Sequence, residues 1–192
     1  MNLIVTSLNA HHGALKAGKA KYPCALGPAG IQEHKREGDG ATPAGQFPIR
    51  ALWYRADRLS RPRTLLPLFE IRRESGWCDA PMDPHYNRPV ELPHPASAEA
   101  LWRDDDVYDL VVILGHNDNP VVPHGGSAIF LHIASPGFGP TEGCVAIDRD
   151  ALLDIVGEPT RGEVGGHAQP EAVRVDFLSH DQSSSFLAVV FL

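Results

Sequence analysis

Residues 127–156 read S-A-I-F-L-H-I-A-S-P-G-F-G-P-T-E-G-C-V-A-I-D-R-D-A-L-L-D-I-V. The segment begins as a strand. Ala128, Ile129, Phe130, Leu131 and Ile133 form an apolar run with His132 set into it. Ser135, Pro136, Gly137, Gly139 and Pro140 then supply bends without periodicity, which marks a turn. Beyond Thr141-Glu142-Gly143-Cys144, a second short strand of Val145, Ala146 and Ile147 leads into a helix. Asp148 can cap that helix, Leu152, Leu153 and Val156 can form its apolar face, and Gly157 can end it. A His near one strand end and a Cys at the next strand start suit a return of the chain that sets imidazole and thiol side by side.

That pairing has a chemical use. A thiolate attacks a carbonyl carbon and a thiol hardly does, and a free Cys has a pKa of about 8.5. An imidazole within reach takes the proton and later returns it to a leaving amine. Gly143 permits a tight backbone beside Cys144, where neighbouring amides could face a developing oxyanion, and Thr141 could add a hydroxyl. The bland reading of the same residues is a small buried thiol and a satisfied core histidine. The glycines and the strand–turn–strand setting lower the weight of that bland reading.

At these residues the chain resembles the YkuD-type L,D-transpeptidase family, whose motif runs His…(Ser/Thr)-x-Gly-Cys. Here it reads His132…Thr141-Glu142-Gly143-Cys144. Upstream, the 35–47 segment K-R-E-G-D-G-A-T-P-A-G-Q-F resembles the family's Lys…Gly…Thr-Pro-x-Gly-x-(Phe/Tyr) stretch. Gly76-Trp77-Cys78-Asp79, Tyr86-Asn87-Arg88 and Gly115-His116-Asn117-Asp118 resemble the subfamily without large accessory domains. The resemblance covers residues 22–156 and rests on several motifs in order. Two departures stand out. The usual Arg two places after the Cys is Ala146, so its substrate contact is missing or supplied elsewhere, and the His-to-Cys interval is short.

Composition sets the outer limits. With 192 residues the chain fits one domain, 1–192, with an extension over 158–192 of unassigned role, and can bury roughly 70% of its unfolded surface. Its 43% hydrophobic and 21% charged content are ordinary for a globular protein. A net charge of −7 argues against nucleic acid, which selects a basic footprint. The 17 Pro and 18 Gly indicate a loop-rich β chain. Three cysteines, Cys24, Cys78 and Cys144, cannot form a full disulfide framework. A Cys24–Cys78 bridge stays open beside the simpler reading of reduced, structural thiols. The N-terminus lacks a basic region followed by a long apolar one, and no run reaches the ~20 apolar residues of a membrane span. If Met1 is the native start, the expected location is cytoplasmic. The resemblance implies a periplasmic or wall-facing one.

Working outward, strands are expected at Met1–Leu8, Lys21–Gly27, Gln46–Tyr54, Pro67–Arg73, Val173–Leu178 and Phe186–Leu192. Tyr108–Leu114 is the most strand-like stretch and is expected to be central. Residues 9–21 read as a polar turn region and 35–45 as a solvated turn. Arg55–Arg63 reads as basic and exposed, and Ser97–Trp102 as a short helix ended by the surface run Asp104-Asp105-Asp106. The Pro-rich excursion 74–95 is long enough to be a lid or binding wall, with Tyr86 and Asn87 expected to face substrate. His116, followed by Asn117, could line the thiol pocket, contact a peptide carboxylate, or stabilise its own turn. His116, His124 and His132 recur at intervals of eight, yet match none of the short zinc-ligand spacings, so no metal or cofactor is expected.

The reading is thus a mainly β fold with two or three short helices; the resemblance implies a β-sandwich-like or barrel-like architecture. It also implies cysteine acyl transfer on a bacterial peptidoglycan stem peptide. Cys144 is the nucleophile, His132 the base and Gly143 part of the oxyanion site. His116, Asn117, Thr141, Tyr86 and Asn87 are the substrate contacts. A backbone carbonyl near Ile133 could orient the imidazole in place of a carboxylate. The acyl-enzyme could pass to an amine, or to water as an L,D-carboxypeptidase acting on cytoplasmic muropeptides. A carbapenem-type β-lactam could acylate the same sulfur. A non-catalytic wall-peptide binding module is the alternative of another class.

Overall fold

Leu110–Leu114, five consecutive apolar residues, can only be a strand covered on both faces, and all five are buried. In the computed structural model, which describes residues 2–157 and 174–178, fourteen strands and one α-helix are found among the described residues. In chain order they are β1 (Asn2–Asn9), β2 (His12–Ala17), β3 (Ala20–Ala25), β4 (Ile31–Gln32), β5 (Thr42–Pro43), β6 (Gly45–Tyr54) and β7 (Leu68–Glu70). Then come β8 (Ser75–Cys78), β9 (Pro89–Glu91), β10 (Ala98–Ala100), β11 (Leu110–Leu114), β12 (Phe130–Ile133), β13 (Val145–Ile147), α1 (Arg149–Val156) and β14 (Arg174–Leu178).

The main sheet runs β11-β12-β13-β3-β2-β1-β14-β6-β7, and a further pairing of β11 with β6 brings the ladder back on itself. The result is a barrel-like ring of eight strands with β7 attached alongside β6. A three-stranded sheet, β10-β8-β9, and a two-stranded one, β4-β5, complete the fold. Alternation along the ring strands separates two apolar clusters. Leu3, Val5, Leu15, Leu52, Val112, Leu131, Ile133, Val145 and Ile147 fall in the larger, against which α1 buries Ala151, Leu152, Ile155 and Val156. Phe130, Val111, Ile113, Tyr108, Trp77 and Cys144 fall in the smaller, which lies between the ring and the β8 region. The Asp148 carboxylate caps α1, accepting from the Asp150 and Ala151 amides at 2.9 and 3.3 Å.

Several sequence expectations are corrected. Residues 9–21 form a β hairpin pair rather than a polar turn: β2 pairs with both β1 and β3. Small residues hide it, because a Cβ on Gly13 would stand 2.7 Å from the Thr6 carbonyl and 2.9 Å from the Cys24 sulfur. Ser97–Trp102 is not a helix. Ala98–Ala100 pairs antiparallel with Gly76–Cys78, and tertiary pairing overrides a helix-prone composition. One α-helix is therefore described where two or three were expected. The 74–95 excursion is crossed by β8 and β9 and is less irregular than its prolines suggest. Arg55 is buried: its guanidinium bonds Asp57 and the Arg103 carbonyl and lies 3.5 Å over the Trp102 ring. All three cysteines are free. The segment 174–178 forms the expected strand, inserted between β1 and β6. Phe186–Leu192 lies outside the described residues. No described helix is long and apolar enough to cross a membrane.

Candidate active site

β12 and β13 run parallel, with Leu131 opposite Val145 and His132 opposite Ala146. One step back sets Cys144 beside Phe130, whose amide points at the Cys144 sulfur at 3.4 Å. Because side chains alternate, His132, Cys144 and Ala146 share one face. All three line a cleft of about 440 Å³. The loop before β13 meets stringent demands. Gly143 has φ +129°, a region open to glycine, and a Cβ there would stand 2.6 Å from the Ala41 carbonyl. The Thr141 hydroxyl donates to the Cys144 carbonyl at 2.7 Å and accepts from the Gly143 amide at 3.2 Å, tying the loop across its own width.

The histidine is held by backbone. His132 Nδ1 lies 2.9 Å from the Ile133 carbonyl, and a carbonyl only accepts, so Nδ1 carries the proton and Nε2 the lone pair. The Tyr108 ring packs edge-on against the imidazole at 5.1 Å. Burial lowers the His132 pKa to about 4, and the imidazole stays neutral through the physiological range. Burial, reinforced by Glu99, pushes the Cys144 thiol up to about 12. The resting pair is therefore a neutral thiol beside a neutral imidazole. In this arrangement the thiol donates to the Ala128 carbonyl at 3.1 Å rather than to His132.

Other expected site residues lie elsewhere. Tyr86 and Asn87 are buried and absent from the cleft lining. The Tyr86 hydroxyl donates to Glu37 and accepts from the Gly126 amide. Asn87 accepts from Trp77 Nε1 at 3.0 Å and the Ala128 amide at 3.1 Å, and donates to the carbonyls of His116 and Asn117. It thus fixes Ala128, itself at φ +52°, whose carbonyl receives the thiol. His116 bonds the Gly125 carbonyl at 2.9 Å, and Asn117 braces the same turn through Val122 and Gly126. Neither lines the cleft, and burial lowers the His116 pKa. Among the described residues, His116, His124 and His132 do not bring ligand atoms together.

The cleft has residues that sequence reasoning did not single out. Glu99 on β10 accepts from the Tyr108 hydroxyl at 2.6 Å, and burial raises its pKa. Arg103 pairs with Asp105 at 2.7 Å. Glu37, Asp79 and Glu142 add carboxylates, leaving Arg103 as the cleft's cationic side chain among the described residues. These groups come from four separate segments, and no spacing in the chain announces their meeting.

Among curated proteins none matches the chain. A solved structure of Mycobacterium tuberculosis L,D-transpeptidase 1 is similar at 12% identity with a TM-score of 0.36, covering 92% of this chain and 58% of its own. The chain thus spans just over half the length of that protein. The model of the YkuD family, described as the L,D-transpeptidase catalytic domain, matches residues 2–164, and the chain belongs to that family.

Proposed function

We propose that the protein is a cysteine acyltransferase acting on peptidoglycan stem peptides, with Cys144 as nucleophile and His132 as base. The observation that carries this reading is the shared face of β12 and β13, which lines one cleft with a thiol and a backbone-pinned neutral imidazole. His132 Nε2 takes the thiol proton as sulfur bonds to the peptide carbonyl carbon. The carbon–nitrogen bond then breaks, and the same proton passes to the departing amine. The resulting thioester is resolved when an acceptor amine attacks the acyl carbon and gives a proton to His132; the carbon–sulfur bond then breaks, and the imidazolium returns that proton to the departing thiolate. Thr141 braces the loop that presents Cys144 to the substrate carbonyl, its hydroxyl bonded to the Cys144 carbonyl and the Gly143 amide.

The charges suggest how substrate enters. An acid-lined cleft attracts a stem peptide whose diamino residue carries an ammonium group. Placed near Glu99 and Glu142, that cation would offset the negative field that adds to burial in keeping the thiol protonated, and so ease its deprotonation. Arg103, which lines the cleft and pairs with Asp105, is the candidate for the carboxylate contact that Ala146 cannot make. The test is mass spectrometry of the protein incubated with a defined tetrapeptide stem, and separately with a carbapenem. A single adduct on Cys144 is expected in both. Turnover of the stem by Cys144→Ala at the wild-type rate would end the proposal.

A further inference from the structure

On the far side of β8 a second thiol sits among different neighbours. Cys78 closes β8 and is fully buried. Asp83 lies in the following turn and His94 just beyond β9. The Cys78 sulfur, an Asp83 carboxylate oxygen and an imidazole nitrogen of His94 all lie within 4.8 Å of one another. His94 Nε2 is buried, makes no hydrogen bond, and stands 3.4 Å from Asp83 Oδ2. Its side chain is 12% exposed. A buried nitrogen that makes no hydrogen bond and stands near a carboxylate and a thiol is placed to meet a cation. The Asp83 carboxylate is fixed from its outer side, accepting from the His85 amide at 2.7 Å and lying 3.1 Å from His85 Nδ1.

We infer that Cys78, Asp83 and His94 form a binding site for a divalent transition metal of the zinc class, separate from the acyl-transfer cleft. Sulfur, imidazole and a single carboxylate are the donor set of zinc and cobalt, whereas magnesium and calcium call for oxygen alone. Bonds of about 2.0–2.3 Å to a tetrahedral ion set ligand atoms about 3.3–3.8 Å apart, so atoms that now lie within 4.8 Å of one another need to contract by at most about 1–1.5 Å. Water completes the fourth position on the side of the exposed His85. Binding converts the Cys78 thiol to thiolate and releases one proton.

The location gives the ion a mechanical role. Residues 79–97 have few apolar side chains and include Pro81, Pro84, Pro89, Pro93 and Pro95. One ion would join the end of β8, the turn after it and the segment beyond β9. Asp79, next to Cys78, lines the cleft, so the ion would stiffen that wall at one residue's remove.

Cobalt titration of the chelator-stripped full chain tests this. Cobalt is expected to bind one ion per chain with a thiolate-to-metal charge-transfer band, and one equivalent of zinc should displace it. Cys78→Ser should remove the band and Cys144→Ala should keep it. His94→Ala and Asp83→Asn should each weaken zinc binding at least about 100-fold. The wild-type spectrum needs no variant to fold: a wild-type protein that gives no sulfur-to-cobalt band overturns the site. A band that survives Cys78→Ser and disappears in Cys144→Ala overturns it as well, by placing the metal on the other thiol. None of these readouts depends on turnover, so they stand apart from the acyl-transfer proposal.

Discussion

Cys24 and Cys144 are two buried thiols whose pKa values burial raises to the same level, about 12. Cys24 sits in the larger apolar cluster on β3, packed under Gly13. Cys144 sits at the mouth of β13 with an amide on one side, a carbonyl on the other, and a histidine on the same face of the sheet. Proton affinity does not separate them. What does is that a histidine and an open cleft share the sheet face of Cys144. A raised thiol pKa therefore marks the cost of burial in both places, and the acceptor for the proton marks only one.

The sharpest break in that comparison is substitution. Cys144→Ala should lower acyl transfer by about 10³-fold or more, measured as product release from a tetrapeptide stem, whereas Cys24→Ala should leave the rate near wild type and cost stability instead. Loss of rate in both variants with folding intact would erase the distinction. His132→Ala should lower the rate by about 10²–10⁴-fold. With His132 neutral down to about pH 4, the acid limb of kcat/KM should lie well below the 6.5 of an ordinary imidazole. An acid limb near 6.5 would mean that the imidazole is not desolvated when substrate arrives.

Stability offers a third comparison. The folded-state pKa of His132 is depressed, so between pH 6.5 and about 4 the unfolded chain binds the extra proton. Its contribution is complete above pH 6.5 and is lost as pH falls toward 4. It amounts to about 3 kcal/mol at most, and denaturant midpoints across that range should flatten in His132→Phe. The smallest expected effect is at Thr141. Thr141→Val removes the bonds to the Cys144 carbonyl and the Gly143 amide and should cost about 1–2 kcal/mol, read as a roughly tenfold loss in kcat with little change in KM.

The β12–β13 segment was legible because its signals are local. An apolar run, a Pro/Gly turn and a capped helix follow within thirty residues, and the backbone partner of His132 is the residue next to it. β2 was missed because Gly13, Ala14 and Ala17 mute the alternation that identifies a strand. β10 was read as helix because its pairing with β8 lies twenty residues away. Tyr86 and Asn87 carry the polar, aromatic character of substrate contacts, and only the fold reveals that they face inward to hold Glu37 and Ala128. Glu99 and Arg103 gave no signal, since a cleft wall is defined by what stands opposite it.

The position of β14 bears on where this fold can be cut. The family match stops at residue 164, yet Arg174–Leu178 lies between β1 and β6, in register with Asn2–Thr6 on one side and Gly45–Pro48 on the other. A fragment trimmed to the family boundary would leave two strand margins with bare amides and carbonyls, the kind of surface that recruits a neighbouring molecule. The recognisable family segment is therefore shorter than the unit that seals its own hydrogen bonds, and any expression fragment should run past Leu178.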